Sequence, residues 1–187
     1  MWATCQDCAT GKYSFAGASA CEDCTDRSTT SSVASTSSLS CLCVEGYTGD
    51  HNGCSACGPG TFKPVKGDEA CSGCTAGKYS AAVGATSLSD CQACVPGKYS
   101  TALGAISVAS CMPCAAGKYL GVAGATASSD CMRCGAGKFS TITAAASKTV
   151  CTNCPPGAYS SSLGASSEAT CLKCPAGKYS ALAGADQ

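Results

Sequence analysis

The stretch "CVPGKYSTALGAISVASC", Cys94 to Cys111, decides the fold. It starts and ends on cysteine, turns at Pro96-Gly97, and carries Gly104-Ala105 past its midpoint. The same text returns every 20 residues. Cysteine pairs begin at Cys71, Cys91, Cys111, Cys131, Cys151 and Cys171, each with a mate three residues on. The unit reads C-x2-C-x2-G-K-Y-S-x3-G-A-x5-C. A fixed internal period marks a linear array whose copies touch mainly their neighbours, so an elongated rod is expected.

Differences between copies assign roles to positions. Gly77, Gly97, Gly117, Gly137, Gly157 and Gly177 hold one place without exception. Phrases such as Val95-Pro96-Gly97 and Pro155-Pro156-Gly157 set Pro and Gly at the centre of a type II turn, where Pro fixes φ and Gly accepts φ > 0. The aromatic that follows is Tyr79, Tyr99, Tyr119, Phe139, Tyr159 or Tyr179, with Tyr13 and Phe62 in earlier copies. Phe139 keeps the ring without the hydroxyl, so the ring reads as a packing plate against a disulfide or the next turn. The preceding Lys becomes Ala158 once and reads as solvated. Gly-Ala becomes Ala144-Ala145 once, which predicts that φ > 0 is not required there. No apolar stripe at helical spacing survives the turns, so each unit is expected to be a turn plus a short hairpin.

Composition explains why cysteine must carry the fold. Hydrophobic residues make up 45% of the 187, but 32 of them are Ala and 20 are Cys. Leu, Ile, Val and Phe number 21, too few for an ordinary core. Cysteine at this density marks a disulfide scaffold from an oxidising compartment. Twelve basic and twelve acidic residues are spread without charge runs, which points away from nucleic acid and anionic membranes. No apolar stretch approaches a membrane span. Met1-Trp2-Ala3-Thr4 runs into Cys5 without a signal peptide, so a mature product or a segment of a longer exported chain is expected.

The first third is less regular. Cys5, Cys8, Gly11-Lys12-Tyr13-Ser14 and Gly17-Ala18 restate the motif with a shorter run to Cys21. "STTSSVASTSSLS", residues 28–40, has ten Ser or Thr in thirteen and reads as a polar loop. The domains expected are a partial repeat over 1–23, a Ser/Thr-rich loop plus a further cysteine module over 24–56, and tandem repeats over 57–187, the last one open.

"CLCVEGYTGDHNGC", Cys41 to Cys54, resembles the C-terminal half of an EGF-like domain. The "CPAGKYS…GA…C" units resemble ephrin-receptor-like cysteine-rich repeats, related in style to TNF-receptor ectodomains. The resemblance spans nearly the whole chain. It implies a small, disulfide-rich, mostly β or irregular fold, an extracellular or cell-surface location and no cofactor. Such arrays occur in extracellular proteins, often as long tandem series in algae and protists, where they look like parts of surface filaments and mastigoneme-type hairs. From TNF-receptor-type units the resemblance implies that the second cysteine of each pair bonds the first of the next: Cys8-Cys21, Cys24-Cys41, Cys43-Cys54, Cys57-Cys71, Cys74-Cys91, Cys94-Cys111, Cys114-Cys131, Cys134-Cys151 and Cys154-Cys171. Cys5 and Cys174 are left over, at opposite ends.

C-x2-C-x16-C-x2-C also fits zinc-ribbon spacing. One His, a C-x-C pair and 44 Ser or Thr favour a disulfide-bonded secreted chain over a zinc array. His51 reads as a loop residue. No nucleophile, carboxylate pair, phosphate loop or metal cluster can be assembled, so the chain is expected not to be an enzyme.

Two functions remain. The first is a structural segment of an extracellular filament. The final "CPAGKYSALAGADQ", residues 174–187, lacks a closing cysteine. Joined to a second copy, it would leave 13 plus 4 residues, or 17, before the next Cys5, against 16 between Cys74 and Cys91. Self is then the partner, head to tail, with Cys5 and Cys174 as the intersubunit candidates. The second is the stalk or ligand-binding ectodomain of a receptor or adhesin. Covalent O-glycans are candidates at Ser28, Thr29, Thr30, Ser31, Ser32, Ser35, Thr36, Ser37, Ser38, Ser80, Ser100, Thr101 and Ser160.

Overall fold

The computed structural model describes residues 4–187, and residues 1–3 lie outside them. The chain forms two compact units. One runs up to Cys74 and adds Ser80–Cys91 and Gly104–Ile106; the other comprises Thr75–Tyr79, Gln92–Leu103 and Ser107–Gln187. The sheets among the described residues are nine two-stranded antiparallel hairpins, and the helices are single 3-10 turns.

One copy in the second unit shows how the sequence makes the repeat. Lys98 donates its N–H to the Val95 carbonyl at 3.1 Å, with Gly97 at φ +85°, which is the type II turn the Pro-Gly pair prescribes. The strand Lys98–Tyr99 follows and pairs with Met112–Pro113, with Tyr99 opposite Met112. Between the two strands, the Ser107 hydroxyl accepts from the Ala109 N–H and caps the 3-10 turn Val108–Ser110. Cys94 and Cys111 close the loop. The hairpin is therefore two residues per strand, and the disulfide ties the segment before the turn to the residue that precedes the second strand.

Nine disulfides are formed: Cys8–Cys21, Cys24–Cys41, Cys43–Cys54, Cys57–Cys71, Cys74–Cys91, Cys94–Cys111, Cys114–Cys131, Cys134–Cys151 and Cys154–Cys171. Five of them close the 17-residue step of the regular repeat. In the chain-entropy account each such loop contributes about 3 kcal/mol by restricting the unfolded chain. The buried residues are mostly sulfur and methyl: Cys74, Cys94, Cys114 and Cys154 are fully buried, and Ala85, Ala105, Ala125, Ala145 and Ala165 are buried as well. Tyr99 packs on the cluster of Cys114, Leu120, Ala125 and Cys131, which includes the next copy's disulfide.

Three features depart from the expectations. Ala144 has φ +54°, so the left-handed backbone is kept where Gly-Ala becomes Ala-Ala. A non-glycine residue there carries roughly 1–2 kcal/mol of strain.

The Ser/Thr-rich stretch carries a strand at one end and a 3-10 turn at the other. Ser28–Thr30 pairs with Cys41–Cys43, and Ser37 caps the 3-10 turn Ser38–Ser40. Arg27 stands at φ +62° in the place of the turn glycine, and Ala34 at φ +56° in the place of Gly104. Residues 24–41 are a full copy of the repeat in different letters.

Cys43–Cys54, read as an EGF-like half, makes the same contacts as the regular copies. Gly46 donates to the Lys63 carbonyl and Cys57 donates to the Gly46 carbonyl, as Gly77 does to Ser100 and Cys94 to Gly77.

Candidate assembly edge

Copies are joined by a repeated three-bond clasp. The turn glycine donates to the fourth residue of the next copy's G-K-Y-S: Gly97 to Leu120 at 2.8 Å, Gly117 to Ser140 at 2.8 Å, Gly157 to Ser180 at 2.9 Å. That residue in turn donates to the alanine carbonyl of the following Gly-Ala, as Ser100 does to Ala125 at 3.1 Å and Ser160 to Ala185 at 3.0 Å. The third bond runs back: Gly124 donates to the Cys94 carbonyl and Gly184 to the Cys154 carbonyl, both at 2.8 Å. Parallel bridges from Tyr99 to Ala125 and from Tyr159 to Ala185 lie between these bonds.

Contacts also reach the second copy along, not only the adjacent one. A methyl added to Gly97 would lie under 3.0 Å from the carbonyl oxygen of Ala144, two copies on. Gly77 meets Gly124, Gly117 meets Gly164 and Gly137 meets Gly184 in the same way. The turn glycine is thus required twice, for its φ and for the carbonyl that closes on it.

The last copy leaves this machinery open. Among the described residues, the N–H groups of Gly177 and Ser180 and the carbonyl of Cys174 have no backbone partner. Nothing approaches Gly157 or Gly177 where their equivalents meet a carbonyl. Tyr179 is 89% exposed, while Tyr99, Tyr119, Phe139 and Tyr159 are half-buried. Cys174 is a half-buried free thiol with Lys178, Tyr179 and Ser180 around it.

The first copy is open in the opposite sense. The carbonyls of Ser14 and Ala18 accept no backbone N–H among the described residues, and the Gly17 N–H donates to none. Cys5 is an exposed free thiol, and with Ser14, Phe15, Gly17 and Ala18 it lines one cleft. Next to it, Lys12 stands opposite Asp23 with the ammonium 2.5 Å from the carboxylate. Tyr13 faces Glu22, and the hydrogen bond its hydroxyl donates to that carboxylate holds the phenol above its ordinary pKa.

The sugar candidates divide by burial. Thr30, Ser35, Ser80, Ser100 and Ser160 are buried, and the hydroxyls of Ser80, Ser100 and Ser160 accept N–H groups two residues on. A buried hydroxyl has no room for a sugar, which removes these five. Ser31, Ser32, Thr36 and Thr101 are exposed, and Ser28, Thr29, Ser37 and Ser38 are half-buried.

Residues 46–91 match the family described as tyrosine-protein kinase ephrin type A/B receptor-like. The chain carries ephrin-receptor-like cysteine-rich repeats. The matched segment holds the disulfides Cys57–Cys71 and Cys74–Cys91 and the hairpin Thr61–Phe62 with Ser72–Gly73. The regular copies beyond it, up to Cys171, repeat the same turn and hairpin. No curated protein matches the chain. Disulfide density and the family match indicate an extracellular or secreted ectodomain segment. Among the described residues, no helix is long and apolar enough to cross a membrane.

Proposed function

We propose that the chain is a non-catalytic structural segment of an extracellular filament. Its open last copy is completed by the first copy of another segment, in a second chain or further along one polypeptide. The observation that supports this most is complementarity of the two edges. Gly177 N–H would meet the Ser14 carbonyl, Ser180 N–H the Ala18 carbonyl, and Gly17 N–H the Cys174 carbonyl, each as in the clasps of the regular copies. The register also sets Lys178 opposite Asp7, repeating the Lys12–Asp23 pair, and brings Cys174 to Cys5. O-linked sugars at Ser31, Ser32, Thr36 and Thr101 would coat the exterior.

Electron microscopy of the native material, with non-reducing peptide mapping, tests the reading. A regular polymer with a Cys5–Cys174 cross-link, or one continuous array, supports it. Monomers at high concentration with both thiols free would sink it and leave the stalk or ligand-binding ectodomain of a receptor or adhesin. Intact mass before and after deglycosylation tests the sugars.

A further inference from the structure

Four cations that the sequence spreads out gather around one hairpin of the second unit. Lys118 stands directly opposite Arg133 across the strand pair Lys118–Tyr119 and Met132–Arg133. Equivalent positions pair Lys12 with Asp23, Lys98 with Pro113 and Lys138 with Asn153. Like charges directly opposite on a sheet repel, so this copy alone places two cations where another makes an ion pair.

Between Cys111 and Cys151 the charged residues are Lys118, Arg133, Lys138 and Lys148 against Asp130. The Asp130 carboxylate is already taken, accepting the N–H groups of Thr126 at 2.9 Å and Ala127 at 3.0 Å. The ion pairs among the described residues are Lys12–Asp23 and Arg27–Asp26, so none of the four cations is neutralised. Arg133, Lys138 and Lys148 line a single cavity of about 380 Å³ together with Tyr119 and Thr149, and no carboxylate lines it. That volume lies within the range of small-ligand sites, and cations converging without an acid select an anion.

We propose that this cavity binds the sulfate group of a sulfated saccharide. The Arg133 guanidinium offers a planar fork to the anion, and Lys138 and Lys148 offer ammonium donors from other elements. The Tyr119 and Thr149 hydroxyls supply neutral hydrogen bonds of the kind that sugar hydroxyls take. The cavity is far smaller than a nucleic-acid footprint, which suits one or two sugar rings. An oxidised extracellular chain works among acidic glycans. The site does not depend on the assembly edge.

Titration of the disulfide-bonded protein with a heparin-derived sulfated disaccharide tests it, followed by amide chemical shifts at low ionic strength. Its desulfated counterpart and inorganic sulfate are run in parallel. Saturable shifts at Tyr119, Lys138, Lys148 and Thr149 are expected, weakening as salt rises. The Lys138→Gln/Lys148→Gln double variant should bind about tenfold more weakly, while Lys78→Gln/Lys98→Gln should bind as before. Undisturbed amide dispersion establishes that each variant is folded. Equal binding of the desulfated sugar, equal binding of inorganic sulfate, or an unaffected double variant would each overturn the assignment.

Discussion

The copies Cys24–Cys41 and Cys94–Cys111 share a fold and little sequence. Both close a 17-residue disulfide loop, both pair a strand behind the turn with one that starts at or just after the second cysteine, and both cap a 3-10 turn with serine. In one, the positive-φ positions are Gly97 and Gly104; in the other, they are Arg27 and Ala34. The Arg27 guanidinium sits 5.4 Å from the centre of the Tyr47 ring, a cation–π contact that helps offset the strained backbone. Cysteine spacing and the serine cap therefore specify the copy, while G-K-Y-S and Gly-Ala specify how closely copies may approach.

That contrast can be broken at the turn. Gly97→Ala adds a methyl against the Ala144 carbonyl at an unfavourable φ. It is expected to lower stability by about 4 kcal/mol in denaturant unfolding with disulfides intact. Arg27→Gly at the matching position should change stability by less than about 1 kcal/mol, because relief of strain opposes loss of the cation–π contact. Equal losses at the two sites would remove the distinction.

Disulfide removal should treat the copies alike. Cys94→Ser/Cys111→Ser and Cys24→Ser/Cys41→Ser are each expected to cost about 3 kcal/mol, read from hydrogen exchange within the opened loop. At the second positive-φ site, Ala144→Gly and Ala34→Gly should both stabilise, by roughly 0.5–1 kcal/mol, raising the midpoint of thermal unfolding. Ser37→Ala and Ser107→Ala should each cost about 0.5–1 kcal/mol, with lost protection confined to the capped turn.

The smallest effect belongs to the irregular copy between them. The Asn52 N–H, donated to Asp50 at 2.8 Å, chiefly holds that carboxyl below its ordinary pKa. Its contribution is present above the unfolded carboxyl pKa and lost as pH falls through the folded one. Amide exchange at Asn52 should accelerate in that acidic window, and Asp50→Asn should abolish the acceleration.

What was legible in the sequence follows from where its signals lie. Period, turn type and hairpin are carried by Cys, Pro and Gly, whose backbone demands are local, so 57–187 reads directly. Residues 28–40 misled because composition outweighed spacing: Arg27 and Ala34 conceal positive φ behind ordinary letters. A turn glycine looks the same whether φ or a close carbonyl demands it, so the approach of Gly97 to Ala144 left no separate trace. Lys118 and Arg133 are 15 residues apart and meet only through antiparallel register, which is why charge counting missed the cationic cavity. Of the assembly edge, the missing cysteine was visible, but the unpaired Gly177, Ser180 and Cys174 groups emerge only from the clasp in neighbouring copies.

The reach of Gly97 to Ala144 sets a minimum length. A single copy closes its disulfide but leaves every clasp open, and two copies make one clasp yet fill no glycine gap. Three consecutive copies are the shortest piece in which all three kinds of contact coexist. Insertion or loss of one copy therefore changes the partners of the two copies before it, so whole-repeat indels disturb more of the molecule than the twenty residues they move.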